Sequence, residues 1–187
     1  THSVPVLADF DNDSNLDLII TSVYDGRPTD FYWGKGKAVF DEDNYHAGIT
    51  TSNGWGIAAA DYDNDGDQDV MATDLYINGI KGAKKGNWLQ VRAWAKTKCN
   101  RMAIGANVFV TVGSKTYMRH VQGSTGKGGQ DTMYLHFGLG TATSVDKIVV
   151  DYPGKPKTTV TYTGPYKSNQ RIWVYDDGTV KKGWAPQ

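Results

Sequence analysis

Two stretches of the chain concentrate carboxylates at alternate positions. Asp9, Asp11, Asp13 and Asp17 take places 1, 3, 5 and 9 of one run, and Asp61, Asp63, Asp65 and Asp69 take the same places of a second. Four carboxylates on so short a segment repel one another, each close pair costing about 1 kcal/mol at 4 Å even in water. A hard dication relieves that repulsion. Calcium accepts six to eight oxygens at roughly 2.3–2.6 Å with tolerant geometry. Alternate spacing lets a tightly turned loop aim three side chains inward, and place 7, Asn15 or Asp67, can add its backbone carbonyl. Gly66 at place 6 permits a sharp turn where the first run has Ser14. The pattern therefore predicts two calcium sites. Magnesium, which keeps several waters, has less use for so many carboxylates. The EF-hand is excluded, because its bidentate Glu at place 12 is Ile20 in one run and Ala72 in the other, and the flanks read as strand. A pair of ion-free acidic surface turns is the alternative, and two copies in equivalent positions weigh against it.

Other chemistry is sparse. The chain has one Glu, Glu42, and one Cys, Cys99, so it has no Glu pair, no disulfide framework and no Cys-based zinc site. His2, His46, His120 and His136 lack metal-ligand spacing. His136, beside Phe137 in an apolar run, reads as a packed and hydrogen-bonded residue. Residues 123–129 are glycine-rich but lack the G-x-x-x-x-G-K-[ST] pattern, and they read as a mobile surface loop. Asn12-Asp13-Ser14 spells a glycosylation sequon inside the first acidic run, where a glycan would block the site. Cys99 reads as a tolerated thiol, with a reactive or intermolecular role as the alternative. No nucleophile elbow or Cys–His arrangement is present, so the expectation is a protein that is not an enzyme.

The elements that must position these residues are strands. The chain has 187 residues, 22 of them Gly, with 39 % hydrophobic side chains and no apolar run long enough for a membrane span. Helical periodicity is nearly absent. Short β-rich runs recur at 16–22, 29–33, 70–73, 88–94, 107–112, 116–121, 133–137, 147–151, 158–162 and 171–175. Asp25-Gly26, Asn53-Gly54, Asn78-Gly79 and Asp177-Gly178 punctuate them as candidate hairpin turns. The fold class is all-β. Residues 81–86, with three Lys, two Gly and no large apolar side chain, read as a linker between a domain at 1–80 and another at 87–187. Within the first, residues 6–18 align with 58–70 at an offset of 52, a period that suggests propeller blades or arrays.

The segments Ala8-Asp9-Phe10-Asp11-Asn12-Asp13 and Ala60-Asp61-Tyr62-Asp63-Asn64-Asp65-Gly66 resemble the FG-GAP (VCBS-type) repeats of integrin α-subunit propellers. That resemblance implies a calcium loop joining two strands of a blade, with the eight aspartates named above as ligands. It covers about 80 residues, enough for one to two blades, whereas a closed propeller takes at least about four. The chain, which begins with Thr1, is then cut from a longer protein or closes its edges against another chain. Further on, Asn87-Trp88-Leu89-Gln90-Val91, residues 100–106, Gly123-Ser124-Thr125-Gly126, Leu135-His136-Phe137-Gly138-Leu139-Gly140 and residues 145–150 resemble an ASPIC/UnbV domain. This cartilage acidic protein-like pairing implies a partial propeller followed by a β-sandwich-like domain. It carries little information about activity.

The zero net charge conceals an asymmetry. Residues 1–80 hold 15 acidic and 3 basic side chains, net −12, and residues 81–187 hold 5 and 17, net +12. The halves attract, within one molecule or head-to-tail between copies, unless the acidic excess belongs to metal loops and the basic excess is ordinary solvated surface. Six Trp are many for this length. Trp55, between two glycines, and Trp184, near the terminus, are candidates for a sugar platform or a protein contact. The leading expectation is a secreted or cell-surface calcium-binding adhesion module that self-assembles head-to-tail or binds another protein, with no nucleic acid and no membrane span. Runner-up readings are a carbohydrate-binding module and a piece of a larger secreted receptor or enzyme.

Overall fold

A computed structural model describes residues 2–24, 26–81, 85–126 and 128–183. Strands and turns make up the described residues, with no helix among them. The chain divides into two compact units. One holds Thr1–Asp11, Asn15–Lys85 and Ser124–Thr132, and the other holds Asn12–Ser14, Gly86–Gly123 and Met133–Gln187. The exchange of two short segments departs from the linear division expected from the charge switch. Residues 82–84, at the centre of the expected linker, lie outside the described residues.

The first unit contains two antiparallel meanders. Strands β1 (His2–Ala8), β2 (Asp17–Ser22), β3 (Asp30–Gly34) and β4 (Phe40–Glu42) form one sheet in that order, and β5 (Ala58–Ala60), β6 (Asp69–Met71) and β7 (Leu75–Tyr76) form the other. Each acidic run is the connection between the first two strands of its sheet. The registers agree, Ala8 pairing with Asp17 and Ala60 with Asp69. Val4, Val6, Ala8, Ile19 and Phe31 from one sheet and Ala59 and Val70 from the other belong to one buried cluster. Sequence reading missed β1 because Pro5 interrupts it, yet Pro is tolerated on an edge strand and β1 is an edge. It missed β5 because three alanines carry little β-propensity. Residues 123–129, expected as a mobile loop, lead into a packed segment of this unit. Thr132 N–H donates to Ala59 O at 3.2 Å, and Asp131 Oδ1 accepts from Ala59 N–H at 2.9 Å. Gly129 has no room for a side chain, since a Cβ would lie 2.3 Å from the Ile57 carbonyl oxygen.

The second unit is a sandwich of two four-stranded sheets. Strands β8 (Asn87–Trp94), β9 (Asn107–Val112), β10 (Lys115–His120), β11 (Leu135–Gly140), β12 (Ser144–Tyr152), β13 (Thr158–Lys167), β14 (Gln170–Tyr175) and β15 (Val180–Lys182) pair in the orders β10-β9-β12-β13 and β11-β8-β14-β15. The β8–β14 pair is parallel. Alternation along the strands aims Leu89, Val91, Ala93, Phe137, Ile172 and Val174 of one sheet at Val108, Val110, Ile148, Val150 and Tyr152 of the other, and all are fully buried. The alternate residues of β8 and β14, among them Gln90, Arg92, Arg171 and Trp173, are also buried, and Arg92 lies over the Trp94 and Trp173 rings at 5.4 and 5.8 Å. Asp177-Gly178 makes the β14–β15 hairpin as expected, with Gly178 at φ 87°. Asn78-Gly79 makes no hairpin: β7 ends at Tyr76 and the next described strand begins at Asn87.

Candidate metal centres

The two acidic runs fold alike. Places 4 and 6 take left-handed backbone in both, Asn12 at φ 61° and Ser14 at 84°, Asn64 at 69° and Gly66 at 93°. That geometry curls each run into a tight turn that brings several of its odd-numbered side chains together. Among the described residues, three acidic groups bring one carboxylate oxygen from each member within 4.8 Å of the others: Asp9–Asp11–Asp13, Asp61–Asp63–Asp69 and Asp63–Asp65–Asp67. Oxygens that close can share one cation, because two ligands on opposite sides of a calcium ion are separated by roughly twice 2.3–2.6 Å. The donors are hard oxygens throughout, which suits calcium and excludes a soft thiolate or imidazole preference.

Place 9 has a second duty that spacing alone does not show. Asp17 is buried at the start of β2, and its two carboxylate oxygens accept Phe10 N–H and Gly34 N–H, each at 2.8 Å. Asp69 repeats this at the start of β6, accepting Tyr62 N–H at 2.7 Å and Asn78 N–H at 2.8 Å. Each carboxylate ties place 2 of its own turn to the third strand or the segment after it. Asp17 lies outside the Asp9–Asp11–Asp13 group, whereas Asp69 belongs to its group. Burial pushes the Asp69 carboxyl up, the two backbone donors oppose the shift, and the nearby charges of Asp63 and Asp61 add to it.

Place 7 differs between the loops. Asp67 is almost fully buried, with the Lys85 ammonium and the Asp65 carboxyl as its neighbours. Burial and the neighbouring Asp65 drive its carboxyl up to about 7. Asp65 is held down to about 2, against its own partial burial, by hydrogen bonding with Asp67 and Lys85. The Lys85 ammonium stands 2.6 Å from Asp65 Oδ2 and 3.1 Å from Asp67 Oδ2. A cationic side chain thus lies among the carboxylates expected to hold a cation, which is the behaviour of an electrostatically frustrated oxygen cluster. Asn15, at place 7 of the first loop, is half-buried.

The tip of the first loop is anchored. Asn12 is fully buried, its carbonyl accepts Gly140 N–H at 2.8 Å, and its Oδ1 lies 2.5 Å from His136 Nε2. Arg171 Nε donates to Gln90 Oε1, which leaves Gln90 Nε2 to donate to His136 Nδ1 at 3.3 Å. His136 Nδ1 is then an acceptor, and Nε2–H is the donor to Asn12, so the imidazole is neutral. Burial, with Arg119 and Arg171 nearby, pushes its pKa down to about 3. His136 is the packed, hydrogen-bonded residue expected from sequence. The same burial leaves no room for a glycan on Asn12.

Asn78 and Lys85 escaped sequence reading. Asn78 has no counterpart at the 52-residue offset because seven residues connect β2 to β3 but only three connect β6 to β7. Lys85 falls within residues 81–86, which read from sequence as a linker. Of the aromatic candidates, Trp55 is 53 % exposed, and Trp184 lies outside the described residues. Cys99 is half-buried, which pushes its thiol pKa up and away from thiolate chemistry.

Comparison with known proteins agrees with this geometry. Residues 9–72, spanning both acidic loops, match the FG-GAP-like repeat family model, and residues 96–180 match that of the ASPIC and UnbV domain. This chain joins FG-GAP-like repeats to an ASPIC/UnbV domain. The first match begins at Asp9 and takes in both turns, and the second covers most of the sandwich. Cartilage acidic protein 1 of Xenopus tropicalis is 30 % identical over 194 residues, an alignment that takes in 95 % of this chain and 30 % of the relative. The chain therefore spans about a third of that protein's length. No helix among the described residues is long and apolar enough to cross a membrane.

Proposed function

We propose that this chain is a non-catalytic, calcium-stabilised extracellular interaction module. Asp9, Asp11, Asp13 and Asp17, with the Asn15 carbonyl, hold one ion. Asp61, Asp63, Asp65, Asp67 and Asp69 hold the second. The observation that carries this reading is the repetition of one turn, with the same left-handed places and a clustering of three carboxylates or more in each, at the same point of two sheets. Bound calcium would neutralise carboxylates that otherwise repel and would fix the β1–β2 and β5–β6 connections. Extracellular modules bind calcium at about 10⁻⁴–10⁻³ M, so a millimolar-calcium environment fills such loops. The FG-GAP-like and ASPIC/UnbV matches and the cartilage acidic protein relative support an extracellular setting.

The same reading includes self-association. The −12 and +12 halves favour head-to-tail contact over symmetric contact, and calcium in both loops leaves about −8 on the acidic half. Sedimentation with calcium present, at low and at high salt, tests it: association that salt weakens is expected, and a monomer at high micromolar concentration and low salt contradicts it. The exposure of Trp55 favours a second reading, glycan binding. A glycan array probed with the native chain and a Trp55→Ala variant decides that, with signal lost in the variant as the supporting outcome.

A further inference from the structure

We propose that Asn78 couples the two acidic loops, so that a cation at one raises the affinity of the other. This inference rests on the calcium reading above. The Asn78 carboxamide spends its two hydrogens on two different loops. Nδ2 donates to Phe10 O at 2.7 Å and to Gln68 O at 3.2 Å. Phe10 is place 2 of the first loop, between Asp9 and Asp11. Gln68 is place 8 of the second, between Asp67 and Asp69. The backbone of Asn78 adds a third tie, its N–H donating to Asp69 Oδ1 at 2.8 Å. Its own orientation is fixed from behind, since Oδ1 accepts Ile80 N–H at 3.1 Å.

The peptide groups it holds are not passive. Phe10 N–H is bound by Asp17 Oδ2 at 2.8 Å, so the peptides on either side of Phe10 are fixed by place 9 of the first loop and by Asn78. Asp69 receives Tyr62 N–H from place 2 of the second loop as well as Asn78 N–H. A cation that draws the carboxylates of one loop together shifts these peptides. Hydrogen bonds weaken steeply with angle and distance. One rigid carboxamide cannot keep both Nδ2 bonds well aligned unless both loops hold their ordered shape. Ordering one loop therefore lowers the cost of ordering the other, which is positive coupling in the thermodynamic sense.

The experiment is a calcium titration of the full chain, followed by calorimetry and by the melting temperature in chelator and in calcium. Four proteins are compared: native, Asp11→Ala, Asn78→Ala, and the two substitutions together. In the native background, Asp11→Ala is expected to weaken calcium at the second loop by about 5-fold or more, the lower end of usual site-to-site coupling. In the Asn78→Ala background, where the backbone N–H to Asp69 remains, the same Asp11→Ala change should leave second-loop affinity unaltered. Two bound ions with no effect of Asp11→Ala on the second loop would overturn the coupling and leave the calcium reading intact. The same effect in both backgrounds would overturn the role of Asn78. No bound calcium in the native chain would overturn both. Should Asn78→Ala fail to fold, Asn78→Ser, which keeps one short donor, takes its place, and the native-background measurement stands by itself.

Discussion

The two acidic loops share a sequence pattern, a strand register and a backbone conformation, yet they are held by different surroundings. Place 4 of the first loop is Asn12, fully buried and bonded through both its carbonyl and its side chain. Place 4 of the second is Asn64, exposed. Place 7 of the first is the neutral Asn15, whereas place 7 of the second is a buried carboxylate, Asp67, with Lys85 beside it. The first loop is braced by neutral hydrogen bonds and carries less negative charge. The second has more charge and an internal counter-ion. A shared motif therefore sets what can bind, and the neighbours set how much reorganisation binding requires. The first loop should bind with less rearrangement than the second, which must also exchange an ammonium for the incoming ion.

The largest expected effect concerns what the loops have in common. Asp17→Ala or Asp69→Ala strips an acceptor from two backbone N–H groups at once. Each orphaned donor costs about 1–3 kcal/mol, so either variant should lose about 2–6 kcal/mol of stability even in chelator. Asp63→Ala, at an exposed place, should change stability little in chelator but abolish binding at its loop. Urea unfolding in chelator separates the two classes.

Acidification should then distinguish the loops. His136 is neutral in the fold, with its pKa pushed down to about 3, against about 6.5 in the unfolded chain. The unfolded state binds the proton first. Stability from this group is therefore full above about pH 6.5 and falls as pH drops toward 3. At pH 5.5 a loss on the order of 1 kcal/mol is expected, and it should vanish in a His136→Gln variant. Amide exchange should show the loss at the first loop before the second.

A smaller effect is expected at Lys85. Replacing it by Met removes the competing ammonium from Asp65 and Asp67. A partly exposed ion pair contributes up to about 1 kcal/mol, so calcium affinity at the second loop should rise by up to about 5-fold while the first loop is unchanged. An equal rise at both loops would mean that Lys85 acts only through overall charge. The smallest effect is at Ser14, which holds φ 84° where the second loop has Gly66. Ser14→Gly relieves about 1 kcal/mol of left-handed strain, partly offset by the greater freedom of glycine in the unfolded chain. The net gain in urea midpoint should correspond to less than about 0.5 kcal/mol.

What could be read from sequence follows the range of the interactions. Carboxylates brought together in one tight turn need only alternate spacing within nine residues, and the β-turn at Asp177-Gly178 and the alternating strands of the sandwich are equally local. Both family resemblances rested on such local runs. The scaffolding duty of Asp17 and Asp69 was hidden because their donors, Gly34 and Asn78, lie 17 and 9 residues downstream, so no fixed spacing marks them. Lys85 meets Asp65 across 20 residues, and nothing in a lysine-rich linker marks which lysine turns back. The packing of Asp131 and Thr132 against Ala59 spans 72 and 73 residues. A glycine-rich stretch before it reads as loose until the Ile57 carbonyl that excludes a side chain at Gly129 is seen.

If both loops take calcium, ion stoichiometry shows it directly. The chelator-stripped chain is titrated with calcium by calorimetry, alongside Asp11→Ala and Asp63→Ala variants of unchanged circular dichroism. Two ions per native chain and one in each variant are expected. A calcium-dependent rise in melting temperature is also expected, worth about 2.7 kcal/mol per site at 100 times the dissociation constant. A native chain that binds no calcium, or variants that keep the native stoichiometry, would contradict the calcium reading.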